Sequence, residues 1–309
     1  MEFRQLRSLV TLVESGYSVS RSAEHLHLVQ SAVSQHITRL EHELELQLFV
    51  RQGKRILALT ETGEQIYRYA NETLSAAQNI FNVSDEHLHQ QRGVLRIGAT
   101  HTQARYILPT IIKAFNKDYP EVEIQIHQST PERLAEMALH DDVDIAICTE
   151  VLAGHEGLVS HPCYQWNRSL ITLPDHPLTR LKSVSLKRLC DYPIITYVHG
   201  FTGRGTFDQV LSKAGLSPHI VLSAADTDVI KTYVSEGMGV GVIASMAYNK
   251  KIDPGFHCID ISRLFPWEST KIAYKKGRYI RAYQMHFIEL FQKTLMEIAA
   301  ALHIKLSSV

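Results

Sequence analysis

Residues 18–45, SVSRSAEHLHLVQSAVSQHITRLEHELE, constrain this chain more than any other stretch. Val33, Ile37, Leu40 and Leu44 recur at i, i+4, i+7 and i+11, so they share one face of a helix, while Ser31, Gln35, Thr38 and His42 project from the opposite face. A short helical segment containing Ala23 and Leu26 precedes it, and only His27 to Gln30 are available for the turn between. Two short helices joined so tightly predict a helix-turn-helix. The second helix of such a unit needs a polar outer face that enters the DNA major groove, with residues near its N-terminus meeting base edges. Gln30, Ser31, Ser34 and Gln35, with Thr38 a turn further on, are the residues expected there. Gln can make paired hydrogen bonds to adenine, and Ser can donate or accept. The bland alternative is an ordinary amphipathic helix with a solvated face.

The flanks extend the pattern. Phe3, Leu6, Val10 and Val13 have helical spacing and are expected to pack a first helix on the apolar face of the second, with Gly16 ending it. VRQGKRILAL, after Phe49, reads as a β-wing around a Gly-centred turn, and its Arg51, Lys54 and Arg55 are expected on the sugar-phosphate backbone. Thr60, with Glu61 and Glu64 behind it, starts a long helix running to about His87. Its stripe Ile66, Ala70, Thr73, Ala77 and Ile80 suits pairing with a second copy. The polar stretch from Ser84 to Arg92 follows as a linker.

Charge adds little. Lys plus Arg and Asp plus Glu are both 32. From Met1 to Leu59 there are seven basic residues (Arg4, Arg7, Arg21, Arg39, Arg51, Lys54, Arg55) against six acidic (Glu2, Glu14, Glu24, Glu41, Glu43, Glu45), a balance of +1, so DNA binding must rest on placement. No run approaches the roughly 18 apolar residues a membrane helix needs, and Glu2, Arg4 and Arg7 spoil a signal peptide, so a cytoplasmic protein without a membrane partner is expected. Cys148, Cys163, Cys190 and Cys258 form no C-x-x-C pair, and the pairs His25/His27 and His87/His89 have no second cluster at metal spacing; neither a metal nor a cofactor is expected.

The ordered series SRSAEHL, QSAVSQHITRLE, LQLFVR and LTETG, within Phe3 to Leu59, resembles the DNA-binding domain of LysR-type transcriptional regulators. In that family Ser usually precedes the Gln that opens the recognition helix, and Pro follows it; here Val29 and Ser31 stand in those places. The resemblance implies promoter DNA as partner, contact with RNA polymerase, and a homodimer that pairs into a tetramer.

At Gly93 the texture changes to short β-rich runs (GVLRIGAT, VEIQIH, DVDIAIC, NRSLITL, YPIITY, HIVLS, GVGVIA) separated by helical segments, which predicts mainly parallel sheets. The expected fold is therefore α/β with an N-terminal all-α winged helix-turn-helix over 1–59, a linker helix and hinge over 60–92, and an effector domain over 93–309. By resemblance the last has the two-lobed periplasmic-binding-protein-like form, lobe I taking about 93–161 and 267–309 and lobe II about 162–266. Two chain crossovers between them make a hinge.

In such sheets a ligand lies beyond the carboxyl ends of the strands, near helix N-termini. GATHTQARY places Thr100, Thr102 and Gln103 there, IAICTE places Thr149, and TYVHGFTGRGTF places Thr202 in a Gly-rich loop. Hydroxyls, an amide and backbone N–H groups suit an oxyanion, with Arg105 or Arg204 at longer range; singly, each Thr or Gln could equally cap its own helix. THTQARYILP, PCYQWNR, PDHPL, YVHGFTGR and DTDVIKTYVSEGMGVGVIASMA together resemble the CysB and Cbl group, the LysR-type activators of cysteine biosynthesis and sulfur assimilation. That resemblance implies an effector such as sulfate, an acetylated serine or adenosine phosphosulfate, held by Thr100, Thr102, Gln103, Thr149, Trp166 and Thr202. HQSTP has Ser129 where the group usually has Gly, at the pocket edge. GMGVGVIA has G-x-G-x-G spacing before a strand, not a phosphate loop. Two other functions stay open: a LysR-type regulator of an aromatic or carboxylate effector, and an enzyme on a small sulfur or acyl-serine compound with His101 as base, although no triad, metal motif or paired carboxylate surrounds the Thr/Gln cluster.

Overall fold

The computed structural model describes all residues except 54, 89–90, 150, 153, 300–303 and 307–309, together with the side chains of 85, 88, 296, 298 and 306. It divides into two compact units, Met1–Leu88 with Gly277–Tyr279, and His89–Lys276 with Ile280–Val309.

The first unit runs α1 (Phe3–Glu14), α2 (Val19–His25), α3 (Gln30–Leu44), β1 (Phe49–Gln52), β2 (Arg55–Leu59) and α4 (Glu61–Leu88). Val33, Ile37 and Leu40 of α3 are buried, and β1 and β2 form the antiparallel wing. The stripe expected on α1 is too narrow. Phe3 is 57% exposed, while Leu9 and Leu12 are fully buried beside Leu6 and Val10. The reason is that α1 packs on both α3 and α4, so two partners bury a wider face than one would.

The α4 stripe needs a similar correction. Ala70 is buried in the unit's own core with Ile66 and Leu74 packed against it, so the first turns of α4 are occupied by α1. The exposed row is instead Tyr69, Thr73, Ala76, Ile80 and Val83, spaced 4, 3, 4 and 3. Tyr69 and Ile80 are 68% and 71% exposed. This is a heptad seam one position removed from the expected one.

Three residues, Glu41, Thr60 and Gly63, fix the wing. Glu41 of α3, nearly buried, accepts from Leu48 N at 2.9 Å and from the Arg51 guanidinium at 2.7 Å. Thr60 Oγ1 accepts from Gly63 N at 2.9 Å, capping α4, and donates to the Gln47 carbonyl at 2.8 Å. A Cβ on Gly63 would collide with the Leu48 carbonyl, so only glycine lets α4 start this close to the strand.

The second unit continues with β3 (Gly93–Ala99), α5 (Leu108–Asp118), β4 (Val122–Gln128), α6 (Pro131–Leu139), β5 (Ile145–Cys148), β6 (Leu158–Trp166), β7 (Arg168–Thr172), α7 (Leu186–Cys190), β8 (Ile194–Tyr197), α8 (Arg204–Lys213), β9 (Ile220–Ala224), α9 (Thr227–Ser235), β10 (Val240–Ala244), β11 (His257–Asp260), β12 (Glu268–Lys275), α10 (Ala282–Ile298) and β13 (Lys305–Leu306). These strands make two sheets, ordered β13-β6-β12-β5-β3-β4 and β11-β7-β10-β8-β9.

The sheets are mixed rather than mainly parallel. β3 pairs in parallel with β4 and β5, and β8 with β9 and β10, as βαβ crossovers require. β12, however, runs antiparallel to β5 and β6, and β7 to β10 and β11. Those strands carry the chain out of one lobe and back, and their direction is set by that traffic. β6 belongs to the first sheet along its whole length, so the outgoing crossover falls at Asn167, not between 161 and 162. The return enters β12 at Glu268.

Gly237, at φ +73°, ends α9. A Cβ on Gly241 would meet Ile171 and Val234, so close strand packing is the office of these glycines. Cys148 and Cys163 are buried, Cys190 and Cys258 half-buried, and all four are free thiols. No helix among the described residues is long and apolar enough to cross a membrane.

The N-terminus of α3 is capped by Val29, which has the extended N-cap backbone (φ −82°, ψ 150°) but no side-chain cap; Ser31 lies inside the helix and cannot serve. Val29→Ser is expected to stabilise the first unit by about 1 kcal/mol, read as a higher urea midpoint by circular dichroism. An unchanged midpoint would show that this helix start needs no cap.

Candidate DNA-reading face and effector cleft

On α3, Gln30, Ser31, Ser34, Gln35 and Thr38 are all exposed, so the structure brings the five expected readers onto one open face. The helix is held from behind: buried Ser8 Oγ lies 2.7 Å from His36 Nδ1, next to Gln35. The wing cations differ from one another. Arg55 is exposed, Arg51 is tied to Glu41, and Lys54 lies outside the described residues. Arg51 is therefore first a brace between wing and helix, because a nearly buried carboxylate demands a partner.

In the second unit β3 ends at Ala99 and the chain turns into helix at once, winding in a π register over Gln103–Ile107 before α5. Ala104 N bonds to the Thr100 carbonyl at 3.0 Å. The preceding N–H groups, at the helix start, have no carbonyl one turn back to bond to. Thr100, Thr102 and Gln103 sit on this turn, each at most 4% exposed.

Their neighbours come from several strands. Tyr164 and Trp166 are two apart on β6 and share a face. The Tyr164 hydroxyl donates to Gln103 Oε1, while Trp166 Nε1 donates to Thr149 Oγ1 at 3.0 Å, which lies 3.1 Å from Thr270 Oγ1. From the other lobe the Tyr197 hydroxyl reaches Thr102, lies 2.6 Å from Thr227 Oγ1 and accepts from Ala244 N at 3.1 Å. Burial pushes the phenols of Tyr164 and Tyr197 up, so both stay neutral donors. Thr202 stands in the loop before α8 with φ +33°, a left-handed backbone that strains a β-branched residue. A Cβ on the next residue, Gly203, would collide with the Arg168 guanidinium and crowd the Trp166 ring.

All six expected effector residues are thus buried, and contacts link Gln103, Thr149, Trp166 and the Thr202–Gly203 loop into one interlobe region. Among the described residues, the hydroxyls of Thr100 and Thr202 have no side-chain partner, whereas those of Thr102 and Thr149 are engaged. Arg204, offered at longer range, is committed to Asp208 and to the Tyr197 carbonyl.

Sequence reasoning missed two features. One is Arg168, buried at the outgoing crossover. The other is a latch between lobes centred on Asp228 of α9: Tyr106 Oη donates to its Oδ1 at 2.8 Å, with His101 Nε2 at 3.3 Å and Arg105 Nε at 3.5 Å from Oδ2. Lys231 adds a link, 3.5 Å from Tyr106 Oη and paired with Asp253 at 2.9 Å. The only signal was the charge pattern of H-x-x-x-R-Y and D-x-x-K, whose partners lie more than a hundred residues apart. His101, Asp226 and Asp228 offer metal-type atoms within 4.8 Å of one another. Asp226 however caps α9 through Val229 N, and Asp228 is held by Tyr106 and Arg105.

Residues 3–64 match the bacterial regulatory helix-turn-helix protein of the lysR family, and residues 88–296 match the LysR substrate binding domain. The chain is 42% identical over 295 residues to the HTH-type transcriptional regulator CysB of Haemophilus influenzae, covering 96% of this chain and 91% of that protein. It is 39% identical to SsuR of Burkholderia cenocepacia, covering 97% and 98%. The solved cofactor-binding domain of the Cbl transcriptional regulator superposes with a TM-score of 0.63 at 38% identity, over 68% of this chain and 93% of that one. The protein belongs to the LysR family of transcriptional regulators.

Partial burial alone would push the Asp228 carboxyl up, but the Tyr106 hydroxyl and then the Arg105, His101 and Lys231 charges outweigh it and hold it below its ordinary value. A carboxylate depressed in the folded state stabilises above its unfolded value and loses that contribution as pH falls through the folded one. The thermal-stability difference between the full chain and Asp228→Asn is therefore expected to be constant from pH 7 to pH 5. It should shrink below about 4, near the ordinary aspartate pKa. A difference that vanished already at pH 6 would show that the Asp228 carboxyl is not held below its ordinary range.

Proposed function

We propose that this regulator controls sulfur-assimilation or sulfonate-utilisation genes, sensing sulfate or a sulfur-pathway metabolite such as acetylserine or adenosine phosphosulfate in the interlobe cleft. The observation that carries the reading is the burial of Thr100, Thr102, Gln103, Thr149, Trp166 and Thr202 around the interlobe cleft, in a chain about 40% identical to CysB and SsuR along its length. Neutral donors at a helix start hold an oxyanion without a formal counter-charge at every position.

In this reading the five polar residues of α3 read base edges, and Arg55 and Lys54 meet phosphates. The Tyr69–Val83 seam of α4 pairs two copies, and effector domains join dimers into a tetramer, so that two DNA contacts reinforce each other through effective concentration. The protein works in the cytoplasm, contacts RNA polymerase, and regulates rather than catalyses. Ligand acts by favouring one arrangement of the lobes; equal affinity for both would transmit nothing.

Two outcomes test it. Gln35→Ala is expected to weaken binding to the specific promoter about tenfold or more while leaving random DNA unaffected, whereas Arg55→Ala weakens both alike and lowers the salt slope by about 1. Equal losses for Gln35→Ala would remove it as a reader. Thr100→Val is expected to abolish the acetylserine- or sulfate-dependent change in a promoter footprint and leave the ligand-free footprint intact; a normal response would move the effector elsewhere.

A further inference from the structure

Beside the neutral donors of the cleft lies a buried cation, Arg168, with a donor left unused. Arg168 is 3% exposed and sits between the rings of Trp166 and Phe265, its guanidinium carbon 5.5 and 5.1 Å from their centroids. Its Nη2 donates to the Gly203 carbonyl at 2.5 Å and to Glu268 Oε1 at 2.6 Å. Nη1, equally buried, has no hydrogen-bond partner. A buried N–H left without an acceptor is costly, and a guanidinium presents its donors as a fork suited to two oxygens of one oxyanion.

The surroundings fix where this donor lies. Nη2 touches Gly203, the residue after Thr202, while the Trp166 ring beside Arg168 is bonded through Nε1 to Thr149. The Arg168 charge also acts on the Tyr197 phenol, which contacts Thr102. The Thr202–Gly203 loop and the Trp166 end of β6 thus both touch Arg168, and its charge reaches Tyr197.

We propose that Arg168 is the charge-selecting residue of the cleft, its Nη1 donating to an oxyanion held with Thr100 and Thr202. The ligand class is a sulfate-sized anion, either the free ion or the anionic end of a metabolite. This rests on the reading of the cleft as the effector site. Glu268 offsets part of the Arg168 charge, so the site selects an anion without standing as a bare buried cation.

The test is calorimetric titration of the full-length protein with sodium sulfate and, separately, with acetylserine. The double variant Arg168→Met with Glu268→Gln avoids stranding a carboxylate and is expected to bind at least tenfold more weakly in one arm or both, the arm affected naming the source. Glu268→Gln alone is expected to tighten binding, because the guanidinium loses its competitor; a purely structural clasp predicts weakening instead. Should the double variant fail to fold by circular dichroism, Arg168→Lys takes its place and is expected to weaken binding severalfold, since one ammonium cannot reproduce the fork. Wild-type affinity in these variants, or weaker binding by Glu268→Gln, overturns the role of Arg168. If Thr100→Val loses binding while the Arg168 variants keep it, the cleft reading survives and this inference alone fails; no binding to the wild type sinks both.

Discussion

Two buried polar contacts join the crossovers of the effector unit, and its other features are arranged around them. Asn167 Nδ2 donates to the carbonyls of Ser262 and Phe265 at 3.1 and 3.0 Å, so the outgoing segment is stitched to the returning one. One residue on, Arg168 clasps Glu268 at the start of β12. Both Asn167 and Arg168 are almost fully buried, where an unmatched polar group is expensive, so these bonds fix the geometry of the hinge. The cleft residues hang from the same segments: Trp166 precedes Asn167, and Gly203, after Thr202, is bonded to Arg168. The lobes also meet through Asp228, half in solvent, whose bonds to Tyr106, His101 and Arg105 are of a kind that solvent can replace. A tight hinge with a weaker latch gives two arrangements differing modestly in free energy, which is what a small ligand can bias.

The DNA-binding unit uses the same economy on a smaller scale. Glu41 ties α3 to the start of the wing, and Thr60 with Gly63 ties α4 to the wing's base. α3 is thus held by polar contacts at its C-terminal half and by Ser8 near its middle, while the residues proposed as readers at its N-terminus stay exposed. Preorganised readers lose little entropy on binding, and that is the advantage of anchoring the helix by its far end.

Much of this was legible in the residues because short-range pattern and motif agree. Val33, Ile37 and Leu40 have one partner face, and helical spacing found it; the L-T-x-x-G motif is explained by a cap and a glycine at a backbone contact. What stayed hidden depends on partners distant in sequence. Leu9 and Leu12 are buried because α4 returns to cover α1, and that same return shifts the exposed seam of α4 to Tyr69, Thr73, Ala76, Ile80 and Val83. Arg51 reads as a phosphate cation until Glu41 is seen beside it. The lobe boundary moved to Asn167 because β6 continues in the first sheet, and Arg168 and Asp228 acquire roles only from residues about a hundred positions away.

A small anion bound between the lobes should act on the crossovers. Amide hydrogen exchange of the full-length protein, with and without saturating acetylserine or sulfate, reads this directly. Ligand is expected to slow exchange at 100–103 and 202–204 on the cleft and at 166–168 and 265–268 on the crossovers. Ligand that binds yet leaves all four segments unchanged, or protects only residues elsewhere, would contradict it.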